Sequence, residues 1–190
     1  MSRRIDLARF ETHFATDPDP WATWRARDEA VKRRAIVRAL GAQRHARVLE
    51  LASGNGSNSA ALVRKSWRLL ACDGSRTGAA LTAQALAPHD RARARLAVLP
   101  EDYPRHTFDA IVIAELLYYL TPVAMARLAE KTAQTLRPGG RLVLAHHHIT
   151  FHDAAQPGRG IHTRFLAATG RRWRRCRARR NRRWQIESFI

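Results

Sequence analysis

Cysteine is scarce in this chain: Cys72 and Cys176 are the only two among 190 residues. Two cysteines this far apart in sequence cannot form a disulfide framework or a zinc knuckle, so both classes of small domain are excluded. We expect both to be ordinary thiols that are buried or half-buried.

Long apolar runs are also missing. No run approaches the roughly 18 apolar residues that a membrane span needs. The first residues, Met1 to Asp6, lack the apolar core of a secretory signal. We therefore expect a cytoplasmic protein without a membrane partner. Hydrophobic residues still make up 45% of the chain, which at this length predicts one compact domain with its own core.

Acidic residues and lysine are few, whereas arginine is abundant. Against 34 basic residues there are only 16 acidic ones, which gives a formal net charge of +18. Clustered basic side chains neutralise phosphates, so this balance raises a nucleic-acid hypothesis. The arginines are spread along most of the chain, except in Arg171–Arg183, where nine of thirteen residues are arginine. That segment could bind a polynucleotide or another anion, or it could be a strand pair with one solvated arginine face.

What the sequence does contain is an apolar strand that leads into a glycine loop and then a helix, over residues 47–58. Residues without a Cβ let backbone N–H groups approach a ligand closely at a helix amino terminus. A second strand, 68–72, ends in Asp73, seventeen residues after Gly56, where a carboxylate could bind two ribose hydroxyls. Together the loop and the carboxylate predict a nucleoside-cofactor site.

Strand and helix patterns alternate from Arg47 onward, which predicts a mostly parallel sheet with helices on both faces. Upstream, the prolines at 18 and 20 separate an amphipathic segment from a helix that we expect to run from Trp21 to Gly41. We predict a single Rossmann-like α/β domain, with 1–41 as an N-terminal helical cap and 46–190 as the core. The further predicted strands are 94–99, 108–114, 141–147 and an antiparallel hairpin of 173–178 with 183–189, which makes seven strands; the helices are 57–65, 75–87, 122–136 and 161–169.

Several segments carry a resemblance to a known family: the glycine loop, Asp73, residues 108–120 and residues 136–144. In this order they resemble the class I S-adenosylmethionine-dependent methyltransferases, over most of the chain. Within that superfamily, residues 19–21, Glu29 with Lys32, 99–104 and 114–120 are similar to the nodulation protein S-like branch. Members of that branch are associated with N-methylation of a deacetylated chitooligosaccharide. The resemblance therefore implies a methyltransferase for a small-molecule or oligosaccharide acceptor, with an amino-sugar nitrogen as the methylated atom.

The glycine loop departs from two familiar patterns. The methyltransferases usually have glycine where this chain has Ala52, and we expect the extra methyl group to be tolerated there by a negative φ. A dinucleotide oxidoreductase would have glycine or alanine three residues after Gly56, and this chain has Ser59. The oxidoreductase therefore fits the loop less well than a methyltransferase does.

The cofactor implied by the resemblance is S-adenosylmethionine. Glu50 suits a ligand that carries an ammonium group, either by direct contact or by orienting the loop. The loop N–H groups would then bind the methionine carboxylate, and Glu101 or Asp102 could reach the adenine amino group. The predicted cofactor-binding residues are Glu50, Gly54, Asn55, Gly56, Asp73, Gly74, Glu101, Asp102 and Glu115.

Methyl transfer requires an acceptor aligned with the S–CH3 bond and the removal of a proton, although a neutral amine needs no base. Candidate residues follow strands four and five, because open α/β sheets bind ligands at the carboxyl ends of their strands. We predict Glu115, His146 and Tyr119 as catalytic residues, with Glu115 or a histidine as proton acceptor. Alternatively, Glu115 could bind the cofactor and the tyrosines could be packing residues. The predicted acceptor contacts are Trp21, Tyr118, His148 and Arg159.

Two further hypotheses concern a metal and RNA. Histidines cluster at positions 146–148, 152 and 162, but alternation along a strand sends His147 to the face opposite His146 and His148. At most a pair converges locally, so we predict no metal site. The second function that stays open is an RNA-directed or RNA-binding protein that uses Arg171–Arg183.

Overall fold

The computed structural model describes residues 6–148 and 152–190, which form seven strands and six helices. Two single 3-10 turns, Val63–Lys65 and Leu117–Tyr119, accompany them. The strands are β1 (His45–Leu51), β2 (Ser66–Asp73), β3 (Ala92–Leu96), β4 (Phe108–Ala114), β5 (Leu136–His147), β6 (Arg175–Arg180) and β7 (Trp184–Phe189). The helices are α1 (Leu7–Thr16), α2 (Arg27–Ala39), α3 (Ser59–Leu62), α4 (Arg76–Leu86), α5 (Pro122–Thr135) and α6 (Ile161–Ala168).

All seven strands belong to one sheet with the order β3-β2-β1-β4-β5-β7-β6. Strands β1 to β5 pair in parallel, whereas β7 is antiparallel to both β5 and β6. The predicted α/β fold, with a mostly parallel seven-stranded sheet and a C-terminal antiparallel hairpin, is therefore confirmed. The chain order reverses between β1 and β4, and in such sheets ligands bind in the crevice at the carboxyl ends of the strands that flank this point.

The central strands are buried on both faces, because helices cover each side of the sheet. Ile111, Val112 and Ile113 of β4 are all fully buried. Ile111 and Ile113 belong to the core layer that contains α5 and α6, whereas Val112 belongs to the layer that contains α2. Strands covered on both sides become continuous apolar runs, so their hydropathy does not tell which side chain points to which face.

Several predicted boundaries are wrong. Strand β5 begins at Leu136 instead of 141, β6 covers Arg175–Arg180 instead of 173–178, and α3 covers Ser59–Leu62 instead of 57–65. The physical reason can be given for two others. The second helix begins at Arg27 instead of Trp21, because Asp19 stabilises a turn before the helix. The Asp19 carboxylate accepts hydrogen bonds from the Thr23 hydroxyl at 2.8 Å and the Trp24 N–H at 3.2 Å. The third strand covers Ala92–Leu96 instead of 94–99. Beyond Leu96 one more bond joins the chain to β2, from the Ala97 N–H to the Asp73 carbonyl at 2.8 Å, and a turn begins at Leu99.

None of the helices within the described residues combines the length and the apolar character that crossing a bilayer requires.

Candidate functional site

A cavity of about 840 Å³ opens at the carboxyl ends of β1, β2, β4 and β5, beneath α1. Its wall brings together residues between Leu7 and Arg183, which are 176 positions apart in the sequence. The predicted site residues that line it are Trp21, Gly54, Asn55, Asp73, Gly74, Glu101, Glu115, Tyr118 and Tyr119. The cavity therefore lies at the reversal point of the strand order, where the sheet topology favours ligand binding.

The glycine loop is compressed between β1 and α4. Gly56 has φ +81°, and a Cβ added there would lie 2.8 Å from the Ala85 Cβ and 2.9 Å from the Thr82 Cα, so only glycine fits. The expectation for Ala52 is wrong, because its φ is +58° rather than negative. A left-handed alanine costs about 1–2 kcal/mol, and the tight loop imposes this conformation.

Asp73 is joined directly to the glycine loop. Its Oδ2 accepts the Gly54 N–H at 2.8 Å, and its Oδ1 accepts the Ser75 N–H at 2.9 Å. Burial raises the pKa of Asp73 to about 6, against the opposing effect of these two hydrogen bonds. Each carboxylate oxygen has a second lone pair, so the side chain can still accept hydrogen bonds from a ligand in the cavity.

Glu50 lies beneath the loop and does not line the cavity. It is 1% exposed, and the Ser59 hydroxyl donates to its Oε2. Its Oε1 is buried without a hydrogen-bond partner among the described residues. Burial raises the pKa of Glu50 to about 8. Of the two predicted roles, orienting the loop fits this position and direct contact with a ligand does not.

The raised pKa of Glu50 predicts a pH dependence of stability. The folded state holds a proton on Glu50 up to about pH 8, whereas an ordinary glutamate loses it near 4.5. Because the folded state then binds more protons than the unfolded state, Glu50 lowers the free energy of unfolding as pH rises between these values. We expect Glu50→Gln to reduce the decline of the free energy of unfolding between pH 5 and 8, measured by urea denaturation at each pH. An unchanged decline would contradict a buried, protonated carboxyl group at Glu50.

Helix α1 closes the cavity from above. Its Glu11 accepts hydrogen bonds from the Ser75 hydroxyl at 2.7 Å, the Thr77 N–H at 3.2 Å and the Thr77 hydroxyl. These bonds lower the pKa of Glu11 to about 2. The Phe14 ring packs against the Trp21 ring at a centroid distance of 5.3 Å. Glu11 thus attaches α1 to the start of α4, a contact that the sequence analysis did not anticipate.

A buried ionic cluster forms the opposite wall. Lys32, only 4% exposed, places its Nζ 2.8 Å from Glu29 Oε2 and 2.9 Å from Glu115 Oε1. His147 Nδ1 lies 2.9 Å from the same Glu115 oxygen, and the Tyr118 hydroxyl donates to Glu115 Oε2. We call Glu29, Lys32, Glu115, Tyr118 and His147 the wall cluster. All five side chains line the cavity.

The environment of Glu115 argues against its predicted role as proton acceptor. Burial alone would raise its pKa, but the Lys32 ammonium and His147 hold the pKa of Glu115 well below the ordinary value. A carboxylate of such low basicity stays ionised and binds cations or donors instead of taking protons. Its backbone is also unusual, with φ +54° at the end of β4.

His146, also predicted to be catalytic, is fully buried away from the cavity. Its Nε2 accepts the N–H groups of Leu116 at 3.3 Å and Leu117 at 3.2 Å, so the proton must be on Nδ1, which lies 3.0 Å from His162 Nε2. The other nitrogen of His162 then donates to Glu187 at 2.9 Å. This chain of bonds supports the loop after Glu115, so His146 is a positioning residue and not a proton acceptor for a ligand.

Four other predicted residues do not line the cavity. Gly56 lies in the loop but faces Thr82 and Ala85 of α4, and Asp102 is exposed and accepts the Val98 N–H. His148 lies at the β5 end, where its N–H donates to the Arg183 carbonyl. Arg159 lies before α6, where its carbonyl accepts a hydrogen bond from Arg164.

The sequence analysis also missed members of the wall. The sequence analysis assigns roles to His146 and His148 but none to His147. It names Glu29 and Lys32 only among the positions that resemble a known family. A signal did exist, since a glutamate and a lysine three residues apart on a helix share one face. What was missing was the knowledge that this face meets β4 and β5.

The Arg171–Arg183 segment forms β6 and its turn into β7, at one edge of the sheet. Part of its charge is paired: Arg175 lies 3.1 Å from Glu187, and Arg183 lies 3.4 Å from Asp28. The segment thus supplies the edge strand β6 of the hairpin with β7, and its arginines are largely exposed. Within residues 6–148 and 152–190, no group of three or more His, Cys, Asp or Glu side chains is arranged to hold a metal ion.

Comparison with known proteins places this geometry in context. Residues 48–140 match the family described as methyltransferase domain. Demethylmenaquinone methyltransferase from Beutenbergia cavernae is 41% identical over 118 residues, which are 60% of this chain and 45% of that protein. The chain thus spans less than half the length of this curated relative.

Solved structures resemble the whole fold. The N-methyltransferase NodS from Bradyrhizobium japonicum WM9, in complex with S-adenosyl-L-homocysteine, has a TM-score of 0.81 at 18% identity, over 96% of each chain. A putative methyltransferase from Pseudomonas syringae has a TM-score of 0.74 at 28% identity, over 85% of this chain and 97% of that one. Residues 48–140 thus match the methyltransferase domain family, and the Rossmann-like fold of the described residues is similar to the folds of these methyltransferase structures.

Proposed function

We propose that this protein is an S-adenosylmethionine-dependent methyltransferase that methylates the nitrogen of a small molecule or oligosaccharide, with an amino sugar as the acceptor class. One observation carries the proposal: Asp73 is hydrogen-bonded to the glycine loop at one wall of the same cavity whose other wall is the ionic wall cluster. The first wall suits a nucleoside, and the second suits a polar acceptor.

The residues of the first wall fit the cofactor. The Asp73 carboxylate has lone pairs for the two ribose hydroxyls, and the loop at Gly54 and Asn55 lines the cavity beside it, where a glycine leaves room for the cofactor. Glu101 lines the cavity near the end of β3 and is the candidate for the adenine amino group. When bound, S-adenosylmethionine supplies a methyl group that its sulfonium already makes electrophilic. The protein's contribution is then alignment of the acceptor and removal of one proton.

The size and charge of the cavity support a small polar acceptor. Ligand cavities commonly measure about 300–1,000 Å³, so 840 Å³ has room for a nucleoside cofactor together with a sugar-sized molecule. The wall cluster contributes two carboxylates, which favour an amine over a neutral or anionic group. The similarity of the whole fold to an N-methyltransferase agrees with this choice.

A radiolabel assay tests the proposal. Purified protein is incubated with methyl-labelled S-adenosylmethionine and a panel of amino sugars, simple amines, phenols and RNA. We expect label to transfer to an amine of the panel at a rate that saturates with amine concentration. Transfer only to phenols would overturn the choice of nitrogen, and transfer only to RNA would overturn the choice of a small acceptor.

A further inference from the structure

Two neighbouring elements outside the cavity expose rows of arginines. Helix α2 packs against β7 and contacts β6 at the edge of the sheet. Arg34 and Arg38 are exposed on α2, and because they are four residues apart they lie on one side of the helix. Arg177 and Arg179 are exposed on β6 and are two residues apart, so they point to one face of the strand. We call Arg34, Arg38, Arg177 and Arg179 the basic face.

The register of the hairpin shows that the two arginines of β6 lie on the side of the sheet that α2 covers. Arg179 pairs with Ile186 of β7, and residues directly opposite each other in an antiparallel pair share a face. Ile186 belongs to the core layer that contains α2. The Arg179 guanidinium also lies 5.7 Å from the centroid of the Trp184 ring, which is buried in the same layer. Both rows of the basic face therefore lie on one side of the sheet.

No acidic side chain neutralises the basic face. In the part of the chain that the structure describes, none of its four arginines forms an ion pair. The acidic residues of the same elements have other partners. Asp28 of α2 lies 3.4 Å from Arg183, Glu29 belongs to the wall cluster, and Glu187 of β7 lies 2.9 Å from His162. Four like charges thus lack a counterion from the chain.

The basic face has charge but no apolar anchor. None of the large hydrophobic side chains that are exposed in the described chain belongs to α2, β6 or β7. Surfaces that insert into a membrane expose large apolar side chains, and protein interfaces are centred on aromatic or aliphatic anchors. A partner of the basic face is therefore bound by charge, which describes a polyanion.

The spacing and the chemistry of the two rows suit a phosphodiester backbone. Side chains two residues apart on a strand are about 6.6 Å apart, and side chains four residues apart on a helix are about 6 Å apart along its axis. Each guanidinium can bind a phosphate group through two parallel hydrogen bonds. Neither α2 nor β6 contains an Asn, Gln or aromatic residue that could read a base edge or stack on a base.

We propose that the basic face binds the phosphate backbone of a nucleic acid, independently of its base sequence. The nucleic acid is a bound partner and not the methyl acceptor, because none of the four arginines lines the cavity. The proposal therefore does not depend on the acceptor proposed above. Each phosphate that an arginine neutralises releases counterions, so the affinity falls as the salt concentration rises.

Salt-dependent binding of a labelled RNA tests the proposal. The full chain is titrated into a fluorescein-labelled single strand of about 12 nucleotides, and anisotropy is measured at about 50 to 200 mM salt. For four phosphate contacts we expect the logarithm of the binding constant to fall with the logarithm of the salt concentration with a slope of about −2.8. A single-stranded DNA of the same sequence is expected to bind equally well, because the contacts are with phosphates.

The triple variant Arg34→Gln, Arg38→Gln and Arg177→Gln removes three charges whose side chains have no partner in the described chain. We expect its slope to be shallower by about 2, while its affinity for S-adenosylhomocysteine stays within twofold.

The matched control removes the same charge from β3, the opposite edge strand, where Asp90 directly precedes the arginines. It combines Arg91→Gln, Arg93→Gln and Arg95→Gln, all at exposed positions. The control is expected to keep the wild-type slope.

Several results would overturn the proposal. The wild type could bind no RNA at about 50 mM salt, or both triple variants could lose the same share of the slope, which would make binding a matter of net charge. Binding to vesicles of phosphatidylserine and phosphatidylcholine but not to RNA would replace the nucleic acid by a membrane surface. A strong preference for RNA over DNA, or the reverse, would contradict contact with phosphates alone. Should the triple variant not fold, Arg34→Gln with Arg38→Gln must make the slope shallower by about 1.4; an unchanged slope contradicts the proposal.

Discussion

Replacing Asp73 with alanine is expected to weaken the binding of S-adenosylhomocysteine about 100-fold. The substitution removes a charged acceptor for two ribose hydroxyls, and hydrogen bonds to charged groups contribute about 1.5–3 kcal/mol each. It also removes the acceptor of the Gly54 N–H, so the loop loses its anchor to β2. Isothermal titration calorimetry of the variant and the wild type measures the ratio of the two dissociation constants.

Asp90→Ala is the control for this variant. Asp90 is an exposed aspartate just before β3, at the opposite end of the sheet from the cavity. We expect wild-type affinity for Asp90→Ala and a folded far-UV circular dichroism spectrum for both variants. A folded Asp73→Ala protein that binds S-adenosylhomocysteine as tightly as the wild type would show that this carboxylate does not hold the ligand.

Replacing Lys32 with methionine is expected to lower the free energy of unfolding by about 3–5 kcal/mol, the usual cost of leaving a buried charge without its partner. Lys32 is the only lysine or arginine of the wall cluster, and its Nζ lies within 2.9 Å of both carboxylates. Urea denaturation at pH 7 measures the change. The double variant Lys32→Met with Glu115→Gln removes one of the two carboxylates that lose their partner, so we expect it to be more stable than Lys32→Met alone.

The effect of Lys32→Met should also depend on pH. The pKa of Glu115 is lowered in the folded state, so its pairing with Lys32 contributes stability above the ordinary glutamate value of 4.5 and loses it as the pH falls further. The stability difference between wild type and Lys32→Met should therefore stay constant between pH 7 and pH 5 and shrink as the pH falls from 4.5 to 3. An equal difference at pH 7 and pH 3 would contradict an ionic role for Lys32.

Strands buried on both faces could be located from the sequence, but the direction of their side chains could not. The predicted fourth strand, 108–114, coincides with β4 (Phe108–Ala114), because an apolar run between polar turns is a strong signal. Strand β5 is also apolar on both faces, so its hydropathy does not show whether His146 or His147 points into the cavity. Which of them faces the cavity depends on the helices α2 and α6 that pack on the two sides of β5.

Contacts between distant segments explain the remaining differences. The glycine loop and Asp73 could be paired from spacing alone, because the strand–loop–helix connection fixes where each β-strand ends. Glu11 could not be assigned, because its partners lie 64 and 66 positions away on α4. The low basicity of Glu115 was equally hidden, since it arises from a lysine 83 positions earlier.

The central claim is that Gly54, Asn55 and Asp73 form one wall of a site for a sulfonium nucleoside. Titrating the wild-type protein with S-adenosylhomocysteine and, separately, with NAD tests it most directly. We predict one equivalent of S-adenosylhomocysteine bound per chain with micromolar affinity, about −8 kcal/mol, and no saturable heat with NAD. Binding of NAD without binding of S-adenosylhomocysteine would contradict the claim.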